Sequence, residues 1–240
     1  MTLLARSARW ATWFNVWLDG HAPVDDAVAA VSGDDAAHDV IGLAEQPLPL
    51  LRAWLALRER GARLATVALP VAGDPVGLAG PASFNEQAIH AGEAVIIDGV
   101  GIGLVPSVVG RGVFWSATEA ISPPPSSPVS EAELALREQL IDAARELTDL
   151  DVARWRPEIA DALSDLRSAR DRVLPPGYGE RAERVAALAT RCLHIGELAL
   201  TDDGNAITRY ETDARRRITV DLTRAARHAV VVACSDRKSR

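Results

Sequence analysis

Apolar residues recur with a helical period at the start of the chain, gather into β-favouring runs in its middle, and return to helical spacing after residue 130. Trp10, Trp13, Phe14 and Trp17 stand at i, i+3, i+4 and i+7, which predicts an amphipathic helix over 3–18 with Arg9 opposite the aromatic stripe. Gly20 ends it. Pro23 opens a second short helix, PVDDAVAAV, whose Asp25 and Asp26 sit in the first turn, where the helix dipole favours acid. HDVIGL (38–43) predicts a strand, Pro49 opens the helix LLRAWLALRER, and Gly61 sits where a left-handed helix terminus belongs. LATVALPV (64–71) then reads as a buried strand. Strand, helix and strand so closely spaced predict a right-handed βαβ unit with a parallel pair.

The stretch from Leu64 to Trp115 holds most of the strand-like sequence. Gly73, Pro75, Gly77, Gly80 and Pro81 exclude both helix and central strand over 72–83. Asn85–Ala91 predicts a short helix with Ser83 as N-cap and Gly92 as terminator. Glu93–Ile97 predicts a strand, Asp98-Gly99 a type I′ turn, and Val100–Val105 an antiparallel return. Gly110-Arg111-Gly112 marks another turn before Val113-Phe114-Trp115, so the sheet is expected to be mixed. ISPPPSSPVS (121–130) reads as an extended Pro/Ser linker. Beyond it, Ser130-x-x-Glu133 predicts a capping box opening a helix to about residue 150. Further helices are predicted from Pro157 to Arg172, from Glu180 to Leu200, and as one or two segments between Ile207 and Val232. The expected architecture is an α/β (or α+β) N-terminal domain with a small mixed sheet (1–121), a linker (122–130) and an all-α helical bundle (131–240).

Composition narrows the function classes more than it names one. A formal net charge of −7 argues against a general nucleic-acid binder, since phosphate affinity rests on clustered Lys and Arg. The charge is uneven: residues 205–240 hold nine basic and four acidic side chains. Lys238 is the only lysine, a bias that a GC-rich coding sequence explains without any demand for guanidinium chemistry. Cys192 and Cys234 are too few and too far apart for a disulfide framework or zinc ribbon. The first twenty residues place two arginines inside an apolar run without a cleavage pattern, so a signal peptide is not expected. No apolar run reaches the about 18 residues that a membrane span needs. A cytoplasmic protein is the resulting expectation.

Gly99, Gly101 and Gly103 follow a strand, but the third glycine is misplaced for G-x-G-x-x-G and no helix start follows. No phosphate-binding P-loop and no G-x-S-x-G occurs. The loop 72–84 is the strongest ligand candidate, because it leaves the end of a strand read as parallel and enters a helix N-terminus. Asp74, Ser83, Asn85 and Glu86 supply its polar groups, and free backbone N–H groups could receive an anion. The competing reading gives its glycines only tight turns to make. Glu86 and His90 lie four apart on one helix face with Glu93 just beyond, yet a metal needs a third ligand that the sequence does not identify. An exposed pair is the simpler reading, and neither a metal nor a cofactor is expected.

In the C-terminal half, Cys192 falls with Leu188, Ala189 and Leu198 on a buried stripe, as a core residue rather than a nucleophile. His194 and Glu197 read as a surface pair, and Asp202-Asp203-Gly204-Asn205 as a helix–helix turn. Arg215–Arg217, Arg224 and Arg227 could meet phosphate, or pair with Glu211, Asp213 and Asp221.

The segment VALPVAGDPVGLAGPASFN, followed later by DVARWRPEIADAL, resembles a protein family of GC-rich bacteria over most of the chain. The resemblance implies no assigned activity and transfers no site residues. The first functional expectation is therefore a non-catalytic protein-interaction or regulatory module, with Trp10, Trp13 and Trp17 offered to a protein partner or a second copy. Burial of that stripe inside the fold is the competing reading. The alternative function is a small-ligand (anion) binding protein or enzyme using residues 72–93, with Asp74, Ser83, Asn85, Glu86 and His90 at the site.

Overall fold

The first helix, α1 (Arg6–Leu18), forms where the aromatic spacing places it, but it is not amphipathic in its surroundings. Ten of its thirteen residues are buried, including Ser7, Arg9, Thr12 and Asn15 from the face expected to be polar. A helix covered on every side lies inside a domain rather than on it. In the computed structural model, which describes residues 4–149, 172–201 and 209–236, α1 packs against α2 (Val24–Ser32), the sheet and the last helix.

The sheet has six strands: β1 (Ala37–Ile41), β2 (Leu48–Pro49), β3 (Leu64–Ala68), β4 (Ala94–Asp98), β5 (Ile102–Val109) and β6 (Gly112–Glu119). Their order is β2-β1-β6-β5-β4-β3. The sheet is mixed, as expected, and its parallel pair is β1–β6. The expected βαβ unit does not form. Helix α3 (Leu50–Glu59) carries the chain across the sheet face to the far edge, where β3 runs antiparallel to β4. Three strands that come later in sequence then fill the space between β1 and β3. Strand–helix–strand spacing cannot register such an insertion.

As an edge strand inside the protein, β3 needs a partner for its outward backbone groups. Asn15 of α1 supplies one. Its Nδ2 donates to the Ala65 carbonyl at 2.8 Å, and its Oδ1 accepts from the Ala65 N–H at 2.7 Å. One buried amide thus stands in for a neighbouring strand.

The two sheet faces separate by strand alternation. Val95, Ile97, Leu104 and Trp115 face α1 and α3, where Trp10, Phe14, Trp17 and Trp54 pack ring to ring. Ile96, Val105 and Ala94 face α4 (Ala82–Ala91), with Phe84 and Ala88. Gly103 lies on this second face, where a Cβ would come within 2.2 Å of the Phe84 ring. The glycine run therefore makes room for an aromatic ring. Its hairpin turn spans residues 98–101, and the return strand starts at Ile102 rather than Val100.

Residues 121–128 carry neither helix nor strand. Three helices follow among the described residues: α5 (Val129–Asp149), α6 (Glu180–Thr201) and α7 (Arg209–Ser235). Thr219 and Val220 do not interrupt α7, which is continuous. Two expected caps are absent as such: α5 begins one residue before Ser130, and α4 starts at Ala82 behind Pro81, leaving Ser83 inside its first turn. The helix expected over 157–172 lies outside the described residues but for its last position, Arg172, and the turn over 202–205 lies wholly outside them. Near its end α7 is buried from Ala229 to Cys234, against α1, β3, α5 and α6. Residues from both sides of the Pro/Ser stretch consequently share one buried cluster.

Candidate functional site

The loop after β3 is closed on itself. Val71 and Asp74 exchange backbone hydrogen bonds of 3.0 and 2.9 Å, and the Leu69 N–H donates to the Val76 carbonyl at 3.2 Å. This tight hairpin leaves an antiparallel edge strand, so the expected ligand position beyond a parallel strand does not arise. Asp74 is buried and committed to α7. It accepts from Arg227 Nη2 at 3.1 Å and His228 Nε2 at 3.0 Å, with Arg224 Nε at 3.8 Å. Burial alone would push its carboxyl up, but the bonds from His228 and Arg227 outweigh that and hold it below its ordinary value.

The other expected groups of this region do not converge with it. Asn85 Oδ1 accepts from the Gly80 N–H at 3.1 Å and so ties down the loop's end. Ser83, Glu86 and His90 are exposed on α4. Among the described residues no group of three His, Cys, Asp or Glu stands close enough to hold a metal ion. The aromatic stripe is spent inside the fold: Trp10 and Trp17 are buried, Trp13 is half-buried, and Arg58 stacks 4.8 Å from the Trp17 ring. Both thiols are buried, and that burial pushes Cys192 up to about 11 and Cys234 up to about 12.

What the fold does build is a cavity of about 640 Å³ where α1, the turn before β1, the end of β3, the α4–β4 corner, α6 and α7 meet. Arg6, Arg9, Asp34, Asp35 and Glu93 line one side, and Thr190, His194, Glu197, Thr223 and Arg227 the other. Leu69, Val71, Leu193 and Val230 supply apolar wall between them. His194 and Glu197, read as a surface pair, thus face this space.

A chain of hydrogen bonds behind the wall fixes its charges. Trp115 Nε1 donates to His38 Nδ1 at 3.2 Å, which leaves His38 Nε2 as the donor to Asp35 Oδ2 at 3.1 Å. Burial lowers the His38 pKa despite the neighbouring carboxylate, so the ring is neutral. Arg6 grips the same carboxylate with Nε and Nη2, both at 2.9 Å. That fork, set against burial and helped by His38, holds Asp35 well below the usual carboxylate range.

Asp35 is then occupied, and Arg9 is left short. Its side chain is only 10% exposed and stands 3.6 Å from Asp35 Oδ2, beyond hydrogen-bond distance. Its Nε has no hydrogen-bond partner among the described residues. Desolvation lowers its pKa, against the pull of Asp35 and Glu93, yet a guanidinium remains charged. Arg227 Nε and Thr190 Oγ1 are likewise buried without hydrogen-bond partners among the described residues. Glu93 accepts from the Ser7 N–H at 2.7 Å, capping the start of α1 from across the fold.

Sequence reasoning missed Arg6, Arg9, Asp35, His38 and Thr190. One signal was present: Arg6 and Arg9 lie in a helix whose residues 6–18 include no acid, so their partners had to come from elsewhere.

The comparisons agree with the expected resemblance. The family model for the Rv1486c-like protein N-terminal domain matches residues 7–131, and that for its C-terminal domain matches residues 130–231. The chain is 31% identical to the uncharacterized protein Rv1486c of Mycobacterium tuberculosis strain H37Rv, covering 95% of this chain and 96% of that one. The uncharacterized protein MT1533 of strain CDC 1551 is similar to the same degree. No solved structure matches the chain. Both halves of the chain match models of one family, and the chain belongs to the Rv1486c-like proteins.

Proposed function

We propose that this chain is a small-molecule binding protein whose ligand occupies the cavity between the sheet and helices α6 and α7. The observation that carries the reading is Arg9. A buried guanidinium with an unpartnered Nε and only a 3.6 Å approach to its carboxylate costs free energy that folding alone does not return. A ligand presenting acceptors would meet it, and a cavity of about 640 Å³ is of the size that holds small molecules. The interaction reading, by contrast, loses its surface, because Trp10 and Trp17 are buried. Of the loop reading the ligand remains and the place changes: Glu93 lines the cavity, and Asp74 reaches it only through Arg227.

The test is a thermal-shift screen of metabolite-sized compounds against wild type and Leu193→Trp, which puts an indole on the apolar wall where the ligand would lie. A true ligand at about a hundredfold excess over Kd adds about 2.7 kcal/mol, about 5–10 °C for a chain of this size. It should shift wild type and leave the variant unmoved. Hits that stabilise both proteins equally would overturn the assignment.

A further inference from the structure

Resting on that reading, we infer that the ligand is an amphipathic monocarboxylate, its carboxylate on Arg9 and its apolar body against Leu69, Val71, Leu193 and Val230. The charges around the cavity decide between anions. Arg6 and Asp35 are matched by a two-bond fork, and Arg227 is matched by Asp74. Glu93 rests on a backbone N–H at the start of α1, where the helix carries partial positive charge. Among the described residues Arg9 remains as the lining arginine without a hydrogen-bonded carboxylate, held only by the 3.6 Å approach of Asp35, so it calls for an acceptor that brings no more than one negative charge among these acids.

A phosphate monoester would bring nearly two. The surplus would face Asp34, Asp35 and Glu93, the three acids whose charges act on Arg9. A neutral alcohol or amide would make only a weaker, uncharged hydrogen bond to the guanidinium. A carboxylate also fits the planar fork of a guanidinium with two parallel bonds. For a hydrocarbon body the same cavity offers the aliphatic wall of Leu69, Val71, Leu193 and Val230.

The experiment is isothermal titration of the full-length protein with octanoate, octyl phosphate and octan-1-ol, repeated on Arg9→Met. Octanoate is expected to bind wild type at least tenfold more tightly than either of the others. Arg9→Met should bring octanoate down to the level of octanol. The variant keeps the length of the stem and removes a charge, leaving Asp35 still held by Arg6 and His38, so its unliganded melting temperature is expected at or above that of wild type. Octyl phosphate binding as tightly as octanoate would overturn the monocarboxylate, and so would octanoate binding that survives Arg9→Met. Octanol matching octanoate would overturn the inference while leaving an apolar ligand site, still blocked by Leu193→Trp. Binding of none of the three to wild type would overturn the inference, and the cavity reading would then stand or fall on the thermal-shift screen. The comparison among ligands on wild type needs no variant to fold.

Discussion

Asp74 separates a ligand group from a structural clamp. As a ligand group on an open loop, its replacement by alanine would cost binding and little stability. The structure makes it the tie between the loop after β3 and helix α7, so the opposite is expected. Its side chain is 10% exposed and that of Arg227 13%, whereas His228 and Arg224 are each 51% exposed. The half-exposed pairs contribute at most about 0.5 kcal/mol each, screened by water. The pair with Arg227 is different, because removing Asp74 strands a guanidinium whose Nε already lacks a partner. Breaking a buried pair in that way costs about 3 kcal/mol, so Asp74→Ala should lose about 3 kcal/mol in urea unfolding followed by tryptophan fluorescence. The corresponding fall in melting temperature is about 6–12 °C.

Two controls sharpen the expectation. In a double-mutant cycle with Arg227→Met, the second replacement should cost little once the first is made, with a coupling energy of about 2 kcal/mol. The pH dependence follows from the lowered carboxyl pKa of Asp74. The unfolded chain takes up the proton first, near 3.8, so the advantage of wild type over Asp74→Asn should be full above that value. It should shrink as pH falls through the folded value. A stability loss under about 1 kcal/mol for Asp74→Ala, well below the cost of breaking a buried pair, would refute the clamp.

The remaining predictions test the two other buried polar features. Asn15→Leu keeps the volume but strands the N–H and carbonyl of Ala65, each worth about 1–3 kcal/mol when buried and unmet; a loss under about 1 kcal/mol in the same unfolding assay would show that water reaches this edge. Cys192 and Cys234, raised to about 11 and about 12 by burial, should not react with an aromatic disulfide reagent in the native protein at pH 8, and both should react once urea unfolds it. Rapid native reaction of either would contradict the packing of α6 and α7.

Much of the fold was legible because it is written locally. The aromatic spacing of α1, the alternation within 94–109 and the left-handed Gly92 are all matters of a few neighbouring residues. The arrangement of those elements was not. β1 and β3 look like partners across α3, but the β4–β5–β6 meander can insert between them, and no short window of sequence records the choice. Arg9 on α1 looked solvent-facing for a similar reason. Periodicity reports where one apolar stripe points, and it says nothing about a second layer of protein on the other side. For Arg9 that layer includes the turn after α2, where its guanidinium lies against Gly33 and Asp35.

The candidate site was hidden more deeply, since each of its determining contacts joins distant segments. Arg6 meets Asp35 across 29 positions, Trp115 meets His38 across 77, and Arg227 meets Asp74 across 153. The apparent polar groups of the 72–93 region pointed to the neighbourhood but misassigned its roles. The acid with the most suggestive position, Asp74, is consumed by structure, while the two arginines nearest the chain's start divide one carboxylate unequally. Arg6 takes both oxygens of Asp35, His38 takes a share of one, and Arg9 is left with a 3.6 Å approach. For stability alone a methionine at position 9 would serve as well or better, because it removes a buried and poorly paired charge without disturbing the Asp35 fork. A costly group that the fold does not use is the expected mark of a site kept for binding. By that argument Arg9, and not the loop that first drew attention, is where the chemistry of this chain should be sought.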